Sequence, residues 1–140
     1  MDDQRISSVL EQLLDPNGLD VVLIGSMPSV CLVHWSMRST DEVVITRERR
    51  IHYLSNHPEM HQLEYHLVGS FVDPDEIHIN KSDSNIALAY ARLFETHWLR
   101  IAIIVSQNLD LKNSVVSCRL ARSKEVLEGR KANRLVWAKR

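Results

Sequence analysis

Glycine and proline are scarce in this chain, at four each in 140 residues. That excludes collagen-like, linker-rich and low-complexity architectures, which need far more of both. Cysteine is scarcer still: Cys31 and Cys118 stand far apart, each inside an apolar stretch. Two distant thiols match no zinc-ligand spacing, so the expectation is two small buried core residues rather than a disulfide. The longest aliphatic run, Ile101-Ala-Ile-Ile-Val105, has five residues, against about 20 for a membrane-crossing helix. The opening Met1-Asp-Asp-Gln-Arg5 is acidic and lacks the basic flank and apolar core of a secretion signal. No repeat, Gly-rich phosphate loop or Gly-x-Ser-x-Gly elbow is visible. With 44% hydrophobic and 25% charged residues, the composition is ordinary for a globular protein. The expectation is one domain over residues 1–140, soluble and cytoplasmic, with no membrane anchor.

A large net charge is also lacking, since the total is only −1. Its distribution is uneven. Residues 112–140 hold nine Lys/Arg against two Glu, so a +7 end follows a −8 body, and Arg outnumbers Lys twelve to five. Guanidinium groups suit bidentate phosphate contact. The basic end reads either as a phosphate-facing surface or as a solvated strand and tail balanced by acidic neighbours.

Apolar spacing predicts a helix over residues 4–14, capped by Asp2 or Asp3 and ended by Pro16-Asn-Gly18. Residues 19–25 and 30–35 read as strands able to form a hairpin, and 43–46 as a short β-branched strand. Residues 47–56 read as a helix, with a second starting at Pro58 and carrying Met60, Leu63, Leu67, Val68 and Phe71. Strands are expected at 76–79, 86–94, 98–105, 114–120 and 134–137, although alanines make helix a competitor at 86–94. A helical turn or two is expected near 125–131. Helices followed by a run of antiparallel strands define an α+β fold.

Two segments carry chemistry. Residues 47–60 hold three arginines and two histidines, a combination suited to phosphodiesters. One imidazole can take a proton from an attacking hydroxyl while another protonates the leaving oxygen. Arginines can stabilise the charged phosphate. His52 and His57 are five residues apart, which separates them by about 140° on one straight helix, unless the helix breaks at Asn56–Pro58. Each also fits a structural role, His52 as a hydrogen-bonded half-buried ring and His57 as a cap. His57 and His61 stand i, i+4 with Glu64 beyond, but the His-Glu-x-x-His motif is absent and no metal or cofactor site is expected. In the second segment, strand alternation puts Ser117, Arg119 and Ala121 on one face and Val116, Cys118 and Leu120 on the other. The first face reads either as opening into a cleft beneath the His52 helix or as an ordinary exposed face of an antiparallel sheet, where Ser and Arg are common.

The order of these features resembles the phage-type branch of the barnase/EndoU/colicin/RelE-like nucleases, from residue 43 to 137. The resemblance rests on a short strand running into Arg49-Arg-Ile-His52, then His57-Pro-Glu59, a helix, and Pro74-Asp-Glu-Ile77. A strand with Tyr90 and Arg92, a Val/Ile-rich strand, Val115-Val-Ser-Cys118 and a late Trp137 complete it. It implies a RelE/barnase-like α+β fold with helices packed on an antiparallel sheet. It also implies a metal-independent endoribonuclease of toxin-like type, with RNA as substrate and an inhibitor protein as a further partner, in a phage or mobile-element setting. In such folds the sheet and the preceding helix form the RNA cleft. Carried onto this chain, His52 is the general acid or base and His57 a second candidate. Ser117, where the family has threonine, orients substrate; Cys118 replaces an alanine. Arg119 and Lys124 stabilise phosphate, and Arg47, Arg50, Arg122 and Lys124 would line the RNA path. Residues 1–40 have no counterpart and are read as an addition that covers the sheet or meets a partner. The alternative function is a non-catalytic RNA- or protein-binding module that retains the fold.

Overall fold

The computed structural model describes residues 3–139. Its frame is one seven-stranded sheet ordered β1-β2-β6-β5-β4-β3-β7. The strands are β1 (Val21–Ser26), β2 (Glu42–Thr46), β3 (Glu76–Ile79), β4 (Ile86–Arg92), β5 (His97–Ile104), β6 (Asn113–Arg122) and β7 (Leu135–Ala138). Neighbours are antiparallel except β2 and β6, which run parallel through the pairs Val43↔Asn113 and Val44↔Ser114. Four α-helices accompany the sheet among the described residues: α1 (Asp3–Leu14), α2 (Arg47–Asn56), α3 (Glu64–Ser70) and α4 (Ser123–Lys131). The α+β class is therefore as the sequence predicts. The proposed cap Asp2 lies outside the described residues.

Helices α1, α2 and α3 share one face of the sheet with the main core. α1 buries Ile6, Val9 and Leu13, an i, i+3, i+7 stripe. Thr46 caps α2, its side chain accepting from the Arg49 amide at 3.2 Å. The helix stops at Asn56, as the Asn56–Pro58 spacing predicts, and a 3₁₀ turn Pro58–Gln62 follows. The alanines of β4 face this layer, with Ala87 and Ala89 buried in the main core while Leu88 and Tyr90 point the other way. That alternation settles residues 86–92 as strand. Residues before 40 join the same core through Ile6, Val22, Ile24, Cys31, Leu32 and Trp35. They cover and extend the sheet.

One predicted strand is absent. Residues 30–35 contain a 3₁₀ turn, Ser29–Leu32, and β1 takes β2 as its hairpin partner instead. Cys31, Leu32 and Trp35 are buried while Val30, Val33 and His34 are exposed. That spacing is helical rather than alternating, and the Trp35 indole is anchored by donating to the Ser84 carbonyl at 2.7 Å.

The opposite face of the sheet is divided. At the β1–β2 end Val21, Leu23, Ile104 and Leu111 line an open apolar hollow. Over the other half lies α4, packing Val126 against Trp98, Ala121, Leu88 and Tyr90. No helix among the described residues is long and apolar enough to cross a membrane.

Candidate anion-binding site

The register of β3 to β6 sets four side chains in one row. Glu76 pairs with Tyr90, Tyr90 with Arg100, and Arg100 with Arg119. Residues directly opposite in antiparallel strands share a face, and like charges placed so repel. The Arg100–Arg119 pair therefore needs an anion. Glu125, in the first turn of α4, provides it. Its Oε1 accepts from Arg119 Nη2 at 2.8 Å and its Oε2 accepts from the Tyr90 hydroxyl at 2.8 Å, while Arg100 Nε lies 3.6 Å from Oε2. Burial pushes the Glu125 carboxyl pKa up, but the hydrogen bonds from Arg119 and Tyr90 outweigh it and hold the group below its ordinary value. Burial, then Glu125, pushes the Tyr90 phenol up to about 12, so it stays a donor. Arg100 Nε is fully buried and makes no hydrogen bond.

Above this carboxylate lies a pocket of about 130 Å³. Four cations line it, Lys81, Arg100, Arg119 and Arg134, against Glu125 alone among the carboxylates. An adjoining hollow shares Arg119 and Glu125 as its wall and adds Arg122 and Lys124. At the far side, His78 is sealed between β3 and α4. Its Nε2 faces Glu76 Oε1 at 2.9 Å, and Arg130 also grips Glu76. The pairing makes Nε2 the protonated nitrogen of a neutral imidazole.

The residues singled out from sequence fall into three places. Arg119 is central to the pocket, and Arg122 and Lys124 are exposed along the adjoining hollow. Ser117 lies on the same sheet face, opposite Ala102 and one row from Arg119. His52 and His57 are elsewhere. They belong to α2 and its C-terminal end, which pack on the Cys118 side of the sheet through Tyr53. The expected cleft uniting His52 with Ser117 and Arg119 does not form, because strand alternation turns Cys118 toward α2 and its neighbours away. His52 is exposed with Asn56 Nδ2 3.0 Å from its Nε2, and His57 is the half-buried C-cap of α2. Arg50 is committed to buried Glu64, donating to both carboxylate oxygens at 2.8 and 2.7 Å, with Tyr53 adding a 2.6 Å bond. Arg47 donates to the carbonyls of Pro16 and Gly18 at 2.8 Å each, tying down the turn after α1. Neither guanidinium faces the pocket.

Sequence reasoning gave no role to Arg100 or Glu125, and found no partner for His78 on its strand. Arg100 carried a signal, as the lone charge between His97 and Ser106 in an otherwise apolar strand. Glu125 carried none, since its role depends on how α4 folds back. Among the described residues, no group of three or more His, Cys, Asp or Glu is disposed to hold a metal ion. Comparison of the chain with family models, curated proteins and solved structures returns no match.

Proposed function

We propose that this chain is an RNA-directed domain whose pocket around Arg100 and Arg119 seats a backbone phosphate. The observation that carries this reading is the excess of four cations over one carboxylate in a single pocket. Arg122 and Lys124 continue the basic path into the next hollow, as successive phosphates along a strand require. The agreement with the RelE/barnase-like resemblance is at the level of the α+β class: α1, α2 and α3 cover the sheet face opposite the pocket, and only α4 packs beside it.

The test is fluorescence anisotropy with a short single-stranded RNA across a range of salt. Affinity is expected to fall steeply with salt, and Arg119→Gln to flatten the log–log slope by about 0.7, one phosphate contact on a single strand. Salt-independent binding, or none, overturns the reading.

Cleavage is the second reading, favoured by an ionised carboxylate, Glu125, held beside two guanidiniums where a base would be useful. In this form the cleaving groups come from the pocket, not from α2. Incubation of RNA with the protein in EDTA at neutral pH should then give products, abolished by Glu125→Gln and untouched by His52→Ala.

A further inference from the structure

Glu125 makes the contacts a bound phosphate would make. Its two oxygens span Arg119 Nη2 and the Tyr90 hydroxyl, with Arg100 Nε beyond at 3.6 Å. Three donors from three different strands converge on one carboxylate supplied by a separate helix. Three donors around a compact anion also suit a phosphate oxygen set. The carboxylate serves Arg100 poorly, since the buried Nε has no hydrogen bond. A tetrahedral anion with more acceptor oxygens would satisfy all three donors.

The side chain also has a way out. Glu125 is about one-third exposed (34%), and Arg119 is similar at 29%. The helix need not move with it. Ser123 Oγ accepts from the Trp98 indole at 3.1 Å and donates to the Glu95 carbonyl at 3.1 Å, and Val126 is buried against the sheet. These anchors flank Glu125 on both sides and leave its rotamer free to change.

We infer that the Glu125 carboxylate is a resident stand-in for ligand phosphate, occupying the seat between Arg100 and Arg119 and swinging out when a phosphate binds. The inference rests on the phosphate-seat reading above and adds its regulation. The free protein is self-occupied, so a ligand must outcompete an internal anion. Weakly charged ligands fail, and phosphates succeed.

The experiment compares wild type with Glu125→Gln, Glu125→Ala and Glu128→Gln, using inorganic phosphate and a short oligouridine as probes. Glu128 removes the same charge from the adjoining hollow, without a bond to either arginine of the seat. Both Glu125 variants should bind inorganic phosphate about tenfold more tightly than wild type, and Glu128→Gln less than about twofold. An equal gain in all three reduces the effect to net charge and overturns the inference. No gain at Glu125, with wild type still binding oligouridine, also overturns it and leaves the RNA reading intact. A Glu125 variant that binds phosphate while no form binds oligouridine supports the inference and ends the RNA reading. If no form binds either probe, both fall. Should the Glu125 variants not fold, carboxyl carbon NMR on wild type decides. Saturating phosphate should raise the Glu125 pKa toward the ordinary glutamate value, and an unchanged titration overturns the inference.

Discussion

His78 is 1% exposed, yet it carries a titratable ring. Burial pushes its pKa below the ordinary 6.5, and the pull of Glu76 in the other direction is smaller. The unfolded chain therefore takes up this proton before the folded one does. His78 contributes stability that is whole above pH 6.5 and is lost as pH falls through the depressed folded value. Glu76 follows at lower pH. Burial raises its pKa, but Arg130 and His78 outweigh that and hold it below the ordinary 4.5, so its contribution is complete above 4.5 and is lost as pH falls through the folded value. Urea unfolding at a series of pH values should show a first loss beginning near 6.5, absent in His78→Phe, and a second below 4.5. A flat profile between 7.5 and 5 in the wild type would overturn this. Residue identity alone did not announce these roles. His78 stood in the sequence without a partner because Glu76 is two residues away on the same strand face and Arg130 arrives from α4, 54 positions from Glu76. Arg50 looked like a free cation for the same reason, its carboxylate being 14 positions on, in another helix.

At the scale of the element, α4 is the piece that turns a bare sheet face into a site. Gly129 in its last turns would ordinarily cost about 1 kcal/mol against alanine. Here the glycine is what lets the helix close on the sheet. A Cβ would stand 2.7 Å from His78 Cε1 and nearer still to Nδ1. The ring cannot retreat, with Glu76 on one side and Tyr90 edge-on at 4.8 Å. Gly129→Ala should destabilise by about 1–3 kcal/mol despite the better helix propensity. It would be read as a lower urea midpoint at unchanged slope, and a higher midpoint would refute the close fit. Most elements were legible, because spacing reports burial: α2 runs over residues 47–56 and β3 over 76–79 in both readings. Where geometry departs from spacing, legibility ends. Val116 sits at an irregularity in β6, where Ala102 pairs with Ser117 but Ile103 with Val115. The extra residue turns Val116 toward Leu88 and the α4 side, away from the Cys118 face that alternation assigns it. The strand predicted at 30–35 failed because its valines are the exposed residues.

Across the whole molecule, the charge division of the sequence has a structural use. Lys112 pairs with Glu42, Arg130 with Glu76, and Lys139 with Asp73, so part of the basic end is stitched to the acidic body. The stitching is partial. Arg119 pairs with Glu125, itself part of the basic end, and Arg122, Lys124 and Arg134 stay on the pocket side. The balanced-tail reading of that end thus holds for Lys112, Arg130 and Lys139, and the phosphate-facing reading is left to Arg119, Arg122, Lys124 and Arg134, where the proposed function puts it. The site itself was half legible: composition pointed to the basic end and Arg119, while its other half, from β4, β5 and α4, depended on register that no local pattern encodes.

The parallel seam between β2 and β6 bears on the order in which the chain folds. Two residue pairs make it, against seven between β4 and β5. Its partners Val43 and Asn113 are separated by three intervening strands and two helices, a loop whose closure entropy must be met before the pairing gains anything. Asn113 is the seam's polar pin, fully buried, donating to the Thr40 carbonyl and accepting from the Ser106 amide, both at 2.8 Å. Asn113→Ala leaves both groups unpaired and should cost about 1–3 kcal/mol. In stopped-flow kinetics the loss should fall on the unfolding arm, with the refolding arm nearly unmoved; the reverse would mean the seam forms early. The row Glu76–Tyr90–Arg100–Arg119 lies wholly on the other side of that seam, among antiparallel neighbours. If the unfolding arm takes the loss, the β1–β2 hairpin is the last piece to close and the first to open, and the proposed phosphate seat can be complete in a chain that has not yet finished folding.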